Sequence, residues 1–346
     1  MDPPGAGSAP SVSVIVTVLN DPRVLTTLET LRRQTLSPLE ILVADGGSTD
    51  GTFEGAVTLS RQDPRVIPLR VPGTIAESRN QALDRVRGEI VAFLDADEEA
   101  PPDWLRELVR PLQEQPEVGF TGGPTPAKPG TATSVGARYY DAYLRRFYDL
   151  VARAHPHALP MGNSAWRTEV FRRLGKLDVT LYPRASSEDQ EFAVRALKAG
   201  YRGLYVPEAW VHHDFSDLHL GALLRKQCTY ATGGYVLWRR IGTTYEASTG
   251  RLAPYVVPPG LCLAGGLLLL FPEARVLGDL LLGAGLVSLV ALALGLWWDG
   301  RRHDGEYPGW RYRPLEILRR WATVIGALRG FLRFGWSGRR NLPGPR

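Results

Sequence analysis

Residues 89–99 read Glu-Ile-Val-Ala-Phe-Leu-Asp-Ala-Asp-Glu-Glu. Residues 90–94 are apolar throughout, the pattern of a strand buried in a sheet. The run ends in Asp95 and Asp97, one residue apart, with two more acids behind them. A strand ending this way sets oxygen ligands at the mouth of a sheet, where open α/β sheets bind their ligands. Such oxygens suit Mg2+ or Mn2+, ions that in turn bind substrate phosphates. Taken alone, an Asp-x-Asp is more often a solvated acidic turn, so the rest of the chain has to decide between the two.

The preceding residues repeat one pattern. Apolar runs at 12–19, 39–44 and 66–71 predict strands. Each is followed by a helical stretch, the first carrying Leu25, Leu28 and Leu31 and the third Arg79 and Asn80. Strands alternating with helices predict an α/β domain with a mainly parallel, Rossmann-like sheet and helices on both faces. Further along, residues 104–115 predict a helix opened by Pro101-Pro102, and 118–122 a strand. Residues 123–134 read as a mobile Gly/Pro/Thr-rich loop, and 161–167 as a turn entering a helix. A helix capped by Ser186-Ser187 is expected to run from Glu188 to Ala199. Short strands are expected at 201–206 and 209–211, the second leading to His212 and His213.

The C-terminal third has a different character. Residues 252–271 and 280–298 contain no charged residue. Twenty residues at 1.5 Å rise make about one bilayer crossing, so a transmembrane helical hairpin is expected within 241–300. Trp297 and Trp298 end it, and Arg251, Arg301 and Arg302 put both ends on the cytoplasmic side. In residues 321–336, Trp321, Val324, Ile325, Leu328, Phe331 and Leu332 share one face, with Arg329 and Arg333 on the other. That is an amphipathic helix suited to an anionic membrane surface.

Charge follows the same division. Residues 301–346 hold eleven Arg against Asp304, Glu306 and Glu316, whereas the whole chain of 346 residues is only +5. The basic balance belongs to a cytoplasmic tail, and no nucleic-acid partner is expected. Cys228 and Cys262 form no C-x-x-C, which fits a reducing compartment. Residues 1–10 lack an apolar core and read as a disordered leader rather than a signal peptide. That leaves 11–240 for a catalytic domain. The composition does not reveal an oligomeric state.

Five motifs occur in order: Val14-Ile15-Val16-Thr17-Val18-Leu19-Asn20, Asp45-Gly46-Gly47-Ser48-Thr49-Asp50-Gly51-Thr52, Ser78-Arg79-Asn80, Phe93-Leu94-Asp95-Ala96-Asp97 and Glu188-Asp189. Together they resemble glycosyltransferase family 2, inverting enzymes of the GT-A fold, in its bacterial membrane-associated form. The resemblance covers about two thirds of the chain, residues 12–240. It implies that Asp45 binds the nucleotide base, with Asn20 in the loop that brackets it, and that Arg79 lies near the donor diphosphate. Asp95 would face the ribose or donor sugar. Asp97 would hold Mg2+ or Mn2+, completed by His212 or His213. Asp189 would be the general base, with Glu188 beside it. Gly162, Asn163, Trp166 and Arg167 would line the acceptor side. Arg225, Lys226 and Tyr230 would form a segment near the diphosphate and the membrane.

Each residue also has a plain structural reading: a turn cap for Asp45, a helix N-cap for Asp189, a surface ion pair for Arg79, core or structural roles for the histidines. Asp21 keeps the acid often found after the position of Asn20, but Pro22 follows it. No Q-x-x-R-W occurs, which argues against a processive polymer synthase. The expected activity is transfer of one sugar, or a short stretch, from a nucleotide sugar, with UDP-sugars favoured. The expected acceptor is a lipid-linked saccharide or glycolipid at the cytoplasmic face of the inner membrane. A nucleotidyltransferase and a membrane-tethered sugar-nucleotide-binding subunit without catalysis are the competing readings.

Overall fold

The structure is a computed structural model that describes residues 10–179, 187–241, 249–302 and 312–335. Residues 1–9 of the expected leader, Ser186, Trp336 and residues 303–311 and 337–346 of the basic tail fall outside the described residues. Contacts divide the chain into two compact units, one built from residues up to 132 and 144–215, the other from 133–143 and 216 onward.

In the first unit, β1 (Val12–Val18), α1 (Val24–Arg32), β2 (Glu40–Asp45), α2 (Thr52–Ser60), β3 (Val66–Arg70), α3 (Ile75–Leu83) and β4 (Ile90–Asp95) follow the expected alternation. After them come β5 (Glu98–Glu99), α4 (Trp104–Glu114) and β6 (Val118–Gly122). Then α5 (Val135–Phe147) continues into a π-helical turn, Tyr148–Ala152, and is followed by β7 (Asn163–Arg167), α6 (Thr168–Leu174), α7 (Glu188–Lys198), β8 (Arg202–Tyr205) and β9 (His212–His213). Among the described residues one sheet has the order β3-β2-β1-β4-β7-β6-β8, and β5 pairs with β9 in a two-stranded ribbon. β1 to β4 are parallel, and β7 alone runs against its neighbours, β4 and β6. β1, β2 and β6 are buried along their whole length and β4 up to Asp95, because helices cover both faces. The core joins Val14, Val16, Ile41, Val43, Ala92 and Leu94 to Leu28, Leu31, Trp104 and Leu108.

Several local expectations are corrected. Residues 163–167 are a central strand, not a turn. Their polar side chains hide a strand that is stabilised by long-range hydrogen bonds. Residues 123–132 are pinned rather than mobile: Val211 N donates to Pro124 O, His213 N to Pro126 O and Lys128 N to His213 O, at 3.1, 2.9 and 2.8 Å. Antiparallel pairing with β5 makes His212–His213 the strand, in place of 209–211. Ser187 precedes α7 in the left-handed region, at φ 74°, and its side chain makes no cap hydrogen bond.

The second unit contains α8 (Leu220–Ile241), α9 (Thr249–Leu268), α10 (Arg275–Arg302) and α11 (Arg313–Phe334). α9 and α10 pack closely through glycines: a Cβ on Gly285 would stand 2.5 Å from Cys262 Sγ, and one on Gly265 2.5 Å from Leu282 N. Within 272–295 the chain is long and apolar enough to cross a membrane, with 11% of it buried, whereas the apolar part of α9, Ala253–Leu268, is shorter. α11 packs along α8 through Ala322, Thr323, Gly326 and Gly330. A Cβ on Gly326 would meet Cys228 O at 2.3 Å. The expected apolar face therefore points outward, with Trp321, Ile325, Leu328, Phe331 and Leu332 exposed. A buried network braces this unit. Tyr139 donates to Glu316, Arg319 Nη2 pairs with Glu316 Oε1 at 3.0 Å, and Arg319 Nη1 reaches Gln227 Oε1 at 3.4 Å. Burial raises the Glu316 carboxyl, but Arg319 and Arg320 outweigh it and hold the group at about 2.

Candidate active site

The C-terminal ends of β1, β2 and β4 lie side by side, because the three strands pair in parallel register. Asp45 closes β2 fully buried. Its Oδ1 accepts the N–H groups of Gly47 and Ser48 at 2.9 and 2.8 Å, while buried Oδ2 has no hydrogen-bond partner. Gly47 at φ 110° makes the turn possible. Asn20, itself left-handed at φ 51°, accepts Thr49 N–H on Oδ1 at 2.8 Å and donates its backbone N–H to Ser48 Oγ at 2.8 Å. The loops after β1 and β2 are thereby fastened into one rim.

α3 starts with a capping box: Thr74 Oγ1 accepts Glu77 N–H, and Glu77 Oε2 accepts Thr74 N–H. This fixes the start of α3, one turn ahead of buried Arg79. Arg79 Nη2 lies 3.0 Å from Asp95 Oδ1, and Nη1 3.6 Å from Glu188 Oε1. A Cβ on Gly162 would stand 2.2 Å from Asp95 Oδ2. Only glycine lets the Asp95 carboxylate rest against that backbone.

Glu188 and Asp189 open α7 on the other side of Arg79. Burial raises the Glu188 carboxyl to about 7, helped by the Asp189 charge and opposed by Arg79. Burial likewise raises Asp189, against Arg79 and the N–H groups of Gln190 and Met161. Carboxylates raised in this way are suited to proton transfer near neutral pH.

On the opposite flank, Asp97 Oδ2 lies 3.0 Å from His213 Nε2, and Glu98 Oε1 lies 3.4 Å from His213 Nδ1. Asp97 Oδ2 and His213 Nε2 share a hydrogen bond, and the pair would offer one oxygen and one nitrogen ligand to a divalent cation, with Glu98 holding the other ring nitrogen from behind. Among the described residues no group of three His, Cys, Asp or Glu side chains forms a full cage. A Mg2+-type site leaves its remaining positions to water and substrate phosphates. His212, next along the ribbon, pairs with Glu99, and its ring lies 4.7 Å from Trp210. Of the two histidines, His213 is the one at Asp97.

Further sequence expectations are corrected here. Asn163 is fully buried, with Oδ1 accepting from Trp104 Nε1 at 2.7 Å and Nδ2 donating to Pro124 O and Ala209 O. Trp166 is stacked on Phe120 at 4.2 Å. Neither lines an acceptor groove; both hold the sheet, and of that segment it is Gly162, against Asp95, and the Met161 N–H, at Asp189, that touch the site. Glu98, which looks peripheral in the sequence, is buried beside His213 and Asp95. Arg225, Lys226 and Tyr230 belong to the second unit. There, Lys226 Nζ stands over the Tyr140 and Tyr230 rings at 5.4 and 5.7 Å.

Arg23 went unnoticed in the sequence. Its Nε and Nη2 pair with both Asp21 oxygens at 2.8 and 2.6 Å, which pushes its pKa up. Its Nη2 and Nη1 stand 3.9 Å from Asp97 and Asp214. The Asp21-x-Arg23 spacing was the only local signal.

The sequence model described as Glycosyl transferase family 2 matches residues 13–175. The putative glycosyltransferase EpsH of Bacillus subtilis (strain 168) is 32% identical over 112 residues, 32% of each chain. The succinoglycan biosynthesis protein ExoA of Rhizobium meliloti (strain 1021) is 29% identical over 214 residues, 55% of this chain and 58% of the relative. The chain spans between 19% and 58% of the length of the first curated relatives it matches. In fold, it resembles the mannosyltransferase PcManGT from Pyrobaculum calidifontis, solved in complex with GDP-Man and Mn2+. The TM-score is 0.63 at 21% identity, covering 94% of this chain and 88% of that one. Sequence motifs, sheet order and these matches agree: residues 13–175 match glycosyltransferase family 2, and the chain has the GT-A fold.

Proposed function

We propose that the chain is an inverting glycosyltransferase that moves a sugar from a nucleoside-diphosphate sugar to an acceptor hydroxyl. One observation carries the reading. Of six buried polar side-chain atoms without a hydrogen-bond partner among the described residues, three, Asp45 Oδ2, Arg79 Nε and Glu188 Oε2, belong to residues of the site at this end of the sheet. Buried polar groups are ordinarily satisfied, so three charged side chains left incomplete at the site point to a polar ligand.

In this reading Asp45 Oδ2 accepts an N–H of the base, and the rim of Asn20 and Ser48 brackets it. Arg79 lies beside the diphosphate and the donor sugar, and Asp95 faces the ribose or sugar. Asp97 and His213 hold Mg2+ or Mn2+, which when bound neutralises charge on the diphosphate leaving group. Asp189 takes the proton of the acceptor hydroxyl, whose oxygen attacks the anomeric carbon opposite that leaving group. The configuration therefore inverts. The donors in complex with PcManGT and the polysaccharide role in the name of ExoA support a nucleotide-sugar donor and a saccharide acceptor.

The acceptor proposed is a lipid-linked saccharide or glycolipid at the cytoplasmic face of the inner membrane. The apolar stretch Pro272–Gly295 and the outward apolar face of α11 support that location.

The test is product analysis with Mn2+ and UDP- or GDP-sugars. Free nucleoside diphosphate, and a product of opposite anomeric configuration by NMR, are expected. Pyrophosphate would mark a nucleotidyltransferase and sink the proposal. Asp97→Ala should weaken metal-dependent donor binding about a hundredfold, roughly the loss expected when a buried charge-assisted contact goes.

A further inference from the structure

We propose that Glu188 is a specificity-determining residue, selecting an uncharged, hydroxyl-bearing donor sugar and rejecting a uronic acid. The inference rests on the nucleotide-sugar reading and deepens it. Arg79 and Glu188 are 4% and 5% exposed. One guanidinium serves two carboxylates: Asp95 at 3.0 Å and Glu188 at 3.6 Å. The arrangement leaves a donor and an acceptor unused, Arg79 Nε and Glu188 Oε2, both buried and without a hydrogen-bond partner.

The chemistry of those two atoms defines what satisfies them. A hydroxyl both donates and accepts, so a pyranose with free hydroxyls can give a proton to Oε2 and an oxygen to Nε. A uronic acid keeps its ring hydroxyls, but where its C6 carboxylate takes the place of the C6 hydroxyl at these two atoms it only accepts and leaves Oε2 unanswered. It would also add a fourth negative charge to Asp95, Glu188 and Asp189, which among the described residues surround one buried cation, Arg79. The Asp95 carboxylate cannot withdraw on the Gly162 side to relieve this, because it rests against that backbone, where even a Cβ would stand 2.2 Å away. Glu188 thus works by both attraction and exclusion, the two routes to specificity.

Isothermal titration with Mn2+ at pH 8.5, above the value of about 7 at which Glu188 titrates, tests the proposal in two series. One is UDP, UDP-glucose and UDP-glucuronate; the other is GDP, GDP-mannose and GDP-mannuronate. In the series whose bare nucleotide binds, the neutral sugar should bind at least tenfold more tightly than the uronate. Glu188→Gln should narrow that ratio to within about threefold while leaving the bare nucleotide's affinity unchanged. Glu188→Asp, which keeps the charge, should retain the ratio. Equal binding of neutral sugar and uronate by the unaltered protein, or an unchanged ratio in Glu188→Gln, overturns the inference alone. Failure of both UDP and GDP to bind overturns the nucleotide-sugar reading and the inference with it.

Discussion

At the N-terminal end of the sheet, Glu40 is 1% exposed and its carboxylate is fully answered. Ser13 Oγ and Arg87 N donate to Oε1 at 2.6 and 2.8 Å, and Arg87 Nε to Oε2 at 2.7 Å. Gly88 N closes the circle onto Ser13 Oγ at 2.9 Å. At the C-terminal end of the same strands Asp45 is just as buried, yet one of its oxygens has no partner, and Arg79 and Glu188 repeat the pattern. A buried charge whose bonds are complete serves the fold. One held in place but left incomplete is poised for something that arrives from outside.

Substitutions can break or sharpen that contrast. The largest effect is expected at Asp189, where Asn should lower the transfer rate by about a thousandfold while donor affinity stays put. Single-turnover assays beside equilibrium binding would settle it, and transfer near the original rate removes Asp189 as the base. Next is the pH response of Glu188. Its carboxyl titrates at about 7 in the fold against an ordinary 4.5, so the folded state holds the extra proton between those values. Stability of the ligand-free protein should therefore fall as pH rises from 4.5 to 7, by on the order of 3 kcal/mol from this group, and Glu188→Gln should flatten that slope. Urea midpoints across the range give the answer.

At the other end of the sheet, Glu40→Ala should cost about 2 kcal/mol of stability and leave kcat per folded molecule intact. A collapse of activity in the folded variant would erase the distinction between the two ends. The smallest effect is expected behind the metal pair: Glu98→Gln should weaken Mn2+ binding about tenfold, read by titration in the presence of nucleoside diphosphate.

Much of this organisation was legible in the sequence. The apolar runs of β1, β2 and β4 stop at Asn20, Asp45 and Asp95, so the strands and the chemistry at their ends could be read together. β7 could not be read that way. Asn163-Ser164-Ala165-Trp166-Arg167 carries polar groups that look solvated, and their partners are far along the chain: Trp104, Pro124 and Ala209 for Asn163, and Val118 O for Arg167 Nε. Arg23 and Asp97 are 74 positions apart, and no periodicity links them. The apolar face of α11 stays outward as the sequence suggests, but its packing face was not legible, for another reason. Hydrophobic periodicity marks the face with the most apolar area, but two helices approach most closely where side chains are smallest. Gly326 and Gly330 therefore chose the packing face.

The buried network of the second unit also sets an order of events in synthesis. Tyr139 emerges 177 residues before Glu316, its hydroxyl partner, and Gln227 emerges 92 before Arg319. Until α11 is made, α5 and α8 carry polar groups that have no protein partner from that helix. Closing so long a loop is slow relative to forming local helices. The sheet of the first unit, complete by residue 215, can form on the nascent chain. Maturation of the second unit waits for the last helix, and a chain stopped short of residue 313 would leave that unit without its latch.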